Sequence, residues 1–251
     1  MNLESALATV LAQPHELGPR QAFGTLVGGT RGAFIEAQLR SSAALRSSPP
    51  SFDDDAVILA DELLDDHAQQ WANGADQLTT SHTFMRGFVE LVAVDARWFT
   101  DNWESLFSLA PIRQLIVHGL SDPREFFACV GLQQVVGLTF NLYGTAFSAE
   151  TFYDHAAAAL AESPNLAQLR YLDATATSLT DAGKLCILRG LPALQTALFD
   201  DLGETVSQDY DGTLTGVVES DGLVAFEKAH GVFASLHEVS RANTSVLRER
   251  Y

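Results

Sequence analysis

Residues 163–190 read SPNLAQLRYLDATATSLTDAGKLCILRG, and this stretch decides how the chain is built. Leucines stand at 166, 169 and 172, a Thr/Ser-rich turn follows, and Leu179 leads into Thr180-Asp181-Ala182-Gly183. The leucines suit a short strand with its entry turn, and Thr180 followed by Asp181 suits a helix start. A strand, a turn and an ascending helix form one unit that cannot bury its own apolar edge. Stacked neighbours are therefore expected on either side.

The neighbours are visible in the chain. A nine-residue template, apolar at positions 1, 4, 7 and 9, occurs as Met85-Phe88-Leu91-Ala93, Leu109-Ile112-Leu115-Val117 and Leu132-Val135-Leu138-Phe140. It continues as Leu166-Leu169-Leu172-Ala174 and Leu191-Leu194-Ala197-Phe199, with steps of 24, 23, 34 and 25 residues between starts. Three of these steps fall within the roughly 20–29 residues of leucine-rich repeats, and the long one holds an extended helix around Glu150 to Leu160. Positions 7 and 9 lie on one side of a strand. Helix-sized pieces lie between: Phe99 to Leu109, Pro123 to Val130, Ala149 to Glu162 and Asp181 to Arg189. Strand followed by helix in strict succession implies parallel strands with right-handed crossovers. The expected fold is α/β: a short leucine-rich-repeat solenoid, a parallel β-ladder with convex helices. An N-terminal helical module precedes it, and a C-terminal hairpin and helix cap its open end.

Working outward, Leu3, Leu7, Val10 and Leu11 sit at helical spacing and Pro14 ends that helix. A second helix starts near Pro19 and is expected to bury Ala22, Phe23, Leu26 and Val27 until Gly28-Gly29 breaks it. A third runs from about Arg31 to Leu45, with Phe34, Ile35, Gln38 and Leu39 on one side. Ser47 to Ser51 reads as a linker. Asp53-Asp54-Asp55 then favours a helix N-terminus, and that helix is expected to turn Val57, Ala60, Leu64, His67 or Ala68, and Trp71 inward. Past Asp200, Thr205 to Tyr210 and Thr213 to Val218 alternate around Asp211-Gly212, a hairpin signal. Ser220 is expected to cap a helix through Phe226 and Ala229, stopped by Gly231 after His230, with a frayed tail from Val239. The domain boundaries that follow are 1–47, 53–82, 84–202 and 203–251.

Fifteen Lys and Arg against 32 Asp and Glu give a formal net charge of −17. Residues 1–47 carry four arginines and three glutamates, about +1, so the remaining 11 basic and 29 acidic groups make an acidic body of −18. Clustered basic groups for a phosphate backbone are missing, which argues against direct nucleic-acid binding. Cys129 and Cys186 both stand in apolar, helix-like contexts and read as buried free thiols. The chain opens directly on a helix rather than on a leader, and no apolar run reaches the roughly 20 residues of a membrane span. A soluble, cytoplasmic protein with no membrane partner is expected.

The N-terminal run ALATVLAQPHELGPRQAF…GTRGAFIEAQL resembles the repeat-companion domain, a bacterial module that often precedes divergent leucine-rich repeats. The matching residues are Pro14, Pro19-Arg20 and Arg31-Gly32-Ala33-Phe34-Ile35-Glu36-Gln38. Downstream, Leu63-Leu64, His67, Trp71 and Arg86-Gly87-Phe88-Val89-Glu90 resemble the lead into the repeats. Asp209-Tyr210-Asp211-Gly212, Gly222, Glu227, His230-Gly231 and Leu236-His237 resemble the closing segment. Phe23-Gly24-Thr25 departs from the usual aromatic-Ala-Asp-Trp run. Leu120, Tyr143, Thr177 and Leu202 stand where many repeats place asparagine. The resemblance implies a scaffold and brings no biochemical activity with it.

Motifs that suggest chemistry have plainer explanations. Gly24 to Gly29 has a phosphate-loop spacing, but Thr30 fills the lysine slot and no strand precedes it. Asp209-Tyr210-Asp211-Gly212 puts glycine fourth rather than sixth, so it reads as a turn and not a calcium loop. Asp61, Glu62, Asp65 and Asp66 read as a solvated helix face, and His67 lacks a second histidine one turn away. His230 and His237 read as a pair buttressing the C-terminal cover. Ser105, Ser108 and His118 lack a nucleophile elbow. No catalytic residue, metal site or cofactor is expected.

The face of the strands opposite the buried positions carries Glu90, Val92, Gln114, Ile116, His118, Thr139, Asn141, Tyr171, Asp173, Thr175, Leu198 and Asp200. Solenoids bind through such a concave face, and this mixture of aliphatic, aromatic and polar groups suits protein contact. Ile116, Tyr171 and Leu198 are expected to be its exposed anchors. The leading expectation is a non-enzymatic scaffold that binds a protein partner there; the plain alternative is a solvated sheet face. An acidic decoy for a basic, nucleic-acid-binding protein is the second reading, and a divergent metal-dependent enzyme the third.

Overall fold

The computed structural model describes residues 1–46, 51–141, 152–175 and 177–200, and the backbone of four later strands at 206–209, 213–216, 223–229 and 232–239. The chain forms two compact units: Met1–Ala93 with Asn102–Arg113, and Val94–Asp101 with Gln114–Glu249.

The first unit is helical with one hairpin. Its helices are α1 (Leu3–Ala12), α2 (Leu17–Val27), α3 (Gly29–Leu45), α4 (Asp54–Trp71) and α5 (Ala75–Leu78), followed by β1 (Ser81–Met85) and β2 (Phe88–Asp95). Local chemistry sets the starts. The Asn2 side chain accepts from the Ser5 amide, and Asp53 accepts from the Ala56 amide. Gly28 and Gly29 lie at φ 59° and 55°, a conformation that favours glycine, and they separate α2 from α3. A Cβ on Gly32 would stand 2.7 Å from the Gly24 carbonyl oxygen, so these helices meet backbone to backbone.

Two inward faces differ from expectation. In α2, Arg20 and Gly24 are buried, while Ala22 and Leu26 are exposed. The glycine contact with α3, together with the charge partners of Arg20, sets the rotation of the helix. In α4, Ala56 and Ala60 face inward and Val57 faces solvent. Of the expected linker, Ser47 to Ser51, residues 47–50 lie outside the described residues.

The template set at Met85–Ala93 spans this hairpin, with Met85 in β1 and Phe88, Leu91 and Ala93 in β2. β1 and β2 pair antiparallel, with Met85 opposite Phe88 around the two-residue turn Arg86-Gly87. Arg86 at φ 51° and Gly87 at φ 89° give the left-handed pair that a tight hairpin needs.

The second unit contains the rest of the template. Its helices are α6 (Ala96–Leu109, which continues into the first unit), α7 (Pro123–Ala128), α8 (Asp154–Ala161) and α9 (Asp181–Gly190). Its strands are β3 (Gln114–His118), β4 (Gly137–Phe140), β5 (Tyr171–Ala174), β6 (Thr196–Asp200), β7 (Val206–Asp209), β8 (Thr213–Gly216), β9 (Leu223–Ala229) and β10 (Val232–Val239). Strands β3, β4, β5 and β6 pair in parallel in chain order. Leu115 stands opposite Leu138, Leu138 opposite Leu172, and Leu172 opposite Ala197, which is the register expected for template position 7. Position 9 aligns as well, Val117 with Phe140 and Ala174 with Phe199.

The strand entries repeat too. The amide at template position 4 donates to the carbonyl at position 1 in Val135→Leu132 (3.0 Å), Leu169→Leu166 (3.0 Å) and Leu194→Leu191 (3.3 Å). Asparagine does tie neighbouring segments together, but before the strands. Asn165 donates to the Ala128 carbonyl at 2.9 Å, and Ser163 donates to the Phe127 carbonyl at 2.6 Å. Of the turn positions expected to replace asparagine, Tyr143 and Leu202 lie outside the described residues.

Beyond β6 the chain reverses. β9 pairs antiparallel with β6, and β10 with β9, giving a six-stranded, mostly parallel sheet in this unit. The helix expected from Ser220 through Phe226 and Ala229 is therefore strand β9, because the open edge of β6 offers ladder hydrogen bonds that local capping signals cannot match. β7 and β8 form the expected hairpin, Asp209 opposite Thr213. His230 and the tail after Val239 lie outside the described residues. Together these features make a mixed α/β chain with an open sheet.

Candidate functional site

The strand face expected to bind a partner is largely interior. Glu90, Val92, Gln114, Thr139, Tyr171, Asp173 and Leu198 are buried; Ile116, His118 and Thr175 are half-buried, and Asn141 is exposed. Asp200 pairs with Leu223 at the β6–β9 boundary. The expected exposure of Tyr171 and Leu198 is thus corrected: each is 0% exposed. Along β5 both alternating sets are buried, Tyr171 and Asp173 as well as Leu172 and Ala174, as in parallel sheets covered on both faces. The polar members are held locally. Asp173 accepts from the Thr175 amide and hydroxyl at 3.2 and 2.7 Å, and His118 Nδ1 lies 3.0 Å from the Asn141 carbonyl.

A different constellation assembles in the first unit. The β1–β2 register jumps between Thr83/Leu91 and Phe84/Val89, so Glu90 is the extra residue of a β-bulge. Bulges re-aim side chains, and the Glu90 carboxylate is enclosed by arginines. Arg20 of α2 donates to its Oε1 at 2.6 Å. Arg86 of the hairpin turn donates through Nε to Oε1 at 3.0 Å and through Nη2 to Oε2. Arg113 Nη1 stands 3.7 Å from Oε2, and Arg113 Nε donates to His15 Nδ1 at 2.9 Å. Arg20 also donates to the Pro14 carbonyl at 2.7 Å.

All four charged side chains are at most 5% exposed. Burial lowers the Arg20 pKa, and the neighbouring Glu90 carboxylate opposes that shift. A buried carboxylate hydrogen-bonded by two guanidinium groups and faced by a third is held as a structural counter-charge. The cluster fixes the α1–α2 loop, α2 and the hairpin to one another.

A second buried cation sits nearby. The Arg31 guanidinium carbon lies 4.9 Å from the Trp71 ring centroid, 5.2 Å from Phe88, 5.3 Å from Phe34 and 6.0 Å from Phe84. Its Nη2 donates to the Gly87 carbonyl at 2.7 Å. Burial lowers its pKa to about 10, so it remains charged at neutral pH. Gln38 clamps the same turn, accepting from the Gly87 amide at 2.8 Å and donating to the Phe84 carbonyl at 3.2 Å.

Sequence reasoning placed Glu90 on a partner-binding face and gave Arg20, Arg86 and Arg113 no role. The available signal was the pair of short motifs, Pro19-Arg20 and Arg86 to Glu90, which the fold brings together.

A groove of about 750 Å³ runs between α2 and α3, walled by Leu17, Gly24, Ala33 and Leu39, with Glu36 and Arg40 among its polar groups. Among the described residues, no three His, Cys, Asp or Glu side chains are arranged to hold a metal ion, and no helix is long and apolar enough to cross a membrane. No protein-family model, curated protein or solved structure matches this chain.

Proposed function

We propose that the chain is a non-enzymatic protein-interaction scaffold whose contact surface lies on the helical first unit, and that the template strands of the second unit are divergent leucine-rich repeats. One observation carries this reading. Of the nine large apolar side chains exposed among the described residues, Met1, Leu3, Leu26, Phe52, Val57, Ile58 and Leu59 belong to the first unit, and only Val130 and Tyr153 to the second. Single exposed apolar groups are ordinary, but Phe52, Val57, Ile58 and Leu59 lie together on α4 and the residues just before it, and such a patch marks a contact region. The α2–α3 groove on the same unit adds concave surface. The repeated strand entries and the shared register support the repeat reading.

A photo-crosslinking amino acid placed singly at Leu26, Ile58, Val130 and Asn141, in the full chain expressed in its native cell, tests this. Adducts with another protein from positions 26 or 58, and none from 130 or 141, are expected. Adducts from the second-unit positions alone, or from none of the four, refute the assignment.

A further inference from the structure

The outer face of α4 shows what kind of partner fits the first unit. The helix reads DDAVILADELLDDHAQQW from Asp54 to Trp71, with six aspartates and glutamates and no Lys or Arg. Ala56 and Ala60 are its buried residues, so at 100° per residue Ile58 points directly away from the protein. Ile58 is 56% exposed, with Val57 at 39% and Leu59 at 38% beside it, and Phe52 at 68% just before the helix. Exposed carboxylates flank this aliphatic turn on both sides, Asp54 and Asp55 before it and Asp61, Glu62, Asp65 and Asp66 after it. The apolar belt is thus one helical turn high and lies between two anionic rings.

Resting on the reading that the first unit makes the contacts, we infer that this face docks a basic amphipathic helix of a partner protein. That helix would carry an apolar anchor with Lys or Arg about one turn before and after it. Charge complementarity selects this occupant: the carboxylate rings attract cationic flanks, while the aliphatic belt needs an apolar group to cover it. A second copy of this chain would set like rings against each other in a protein of net charge −17. An anionic lipid surface would be repelled.

The test uses the purified full-length chain and a fluorescent 18-residue helical peptide with leucines in one stripe and lysines elsewhere, followed by anisotropy. A peptide of equal charge with serine replacing leucine is the control. Leucine-peptide binding about tenfold tighter than the control is expected, the scale of one buried aliphatic anchor. Ile58→Asp decides between mechanisms. It adds a carboxylate, so a purely electrostatic contact would tighten, whereas the docking inferred here weakens by about tenfold or more. Equal binding of both peptides, or unchanged or tighter binding by the Ile58→Asp chain with its urea midpoint preserved, overturns the inference. Concentration-dependent dimers abolished by Ile58→Asp would overturn it in favour of self-association. Crosslinks from Leu26 that persist in an Ile58→Asp chain would leave the scaffold reading standing while this docking face falls.

Discussion

Replacing Glu90 by Gln removes one negative charge from a site holding three guanidinium groups, and the structure sets the size of the consequence. The Glu90 side chain is 0% exposed, and those of Arg20, Arg86 and Arg113 are 0%, 5% and 4% exposed. Two charges about 4 Å apart interact by roughly 4 kcal/mol at an effective dielectric constant near 20. Loss of the carboxylate therefore leaves mutual arginine repulsion with no counter-charge. Breaking a buried ion pair from one side costs about 3–5 kcal/mol, and Gln retains one acceptor oxygen but no charge. A loss of about 3–5 kcal/mol in urea unfolding is expected, little changed by salt because the groups are buried.

A double-mutant cycle sharpens the test. Arg86 occupies φ 51°, which Asn tolerates well, so Arg86→Asn isolates the charge from the backbone. In the native background it should destabilise; with Gln at position 90 it should stabilise by relieving repulsion, a coupling of about 1–3 kcal/mol. Hydrogen exchange over residues 81–95 localises the effect to the hairpin. A Glu90→Gln chain within about 1 kcal/mol of wild type, or Arg86→Asn equally harmful in both backgrounds, refutes the reasoning.

Two further outcomes follow. Leu138 is 0% exposed between Leu115 and Leu172, so Leu138→Ala should cost about 2–5 kcal/mol in denaturant unfolding; a cost below about 1 kcal/mol would argue against a packed ladder. Burial raises the Cys129 thiol above its ordinary value of 9.0, so in the folded chain it stays protonated where the unfolded chain has ionised. The folded state then binds more protons, and this group lowers stability as pH climbs past 9.0, with no effect well below it. Aromatic disulfide reagent at pH 8 should leave Cys129 unlabelled until urea is added, as mass mapping of the labelled thiols will show.

The sheet was readable because its signal is local. A 3-3-2 spacing of aliphatic groups fixes an entry turn and a strand, and Leu115, Leu138, Leu172 and Ala197 align as that spacing requires. The fate of the other strand face was also written in the residues. Val92, Ile116, Tyr171 and Leu198 alternate with residues that are themselves apolar, the pattern of strands buried on both sides rather than of a docking surface. The arginine cluster could not be read in the same way. Arg20 and Glu90 lie 70 residues apart, and only a bulge that no turn signal announces brings the carboxylate round. The α2 face failed for a related reason: its rotation is set by Gly24 and Gly32 touching across the helix pair, a tertiary contact that hydrophobic periodicity does not encode. In the C-terminal segment, a Ser-initiated helix signal lost to an edge strand waiting for a partner.

The reversal of direction at β9 bears on how such a chain changes length over generations. A tandem duplication falling between β3 and β6 would meet the same rail on both sides and lengthen the array without disturbing either flank. A duplicate appended after β6 would first have to displace an antiparallel ribbon already seated there. An added strand therefore meets less resistance within β3 to β6 than after β6, where β9 and β10 already hold the edge.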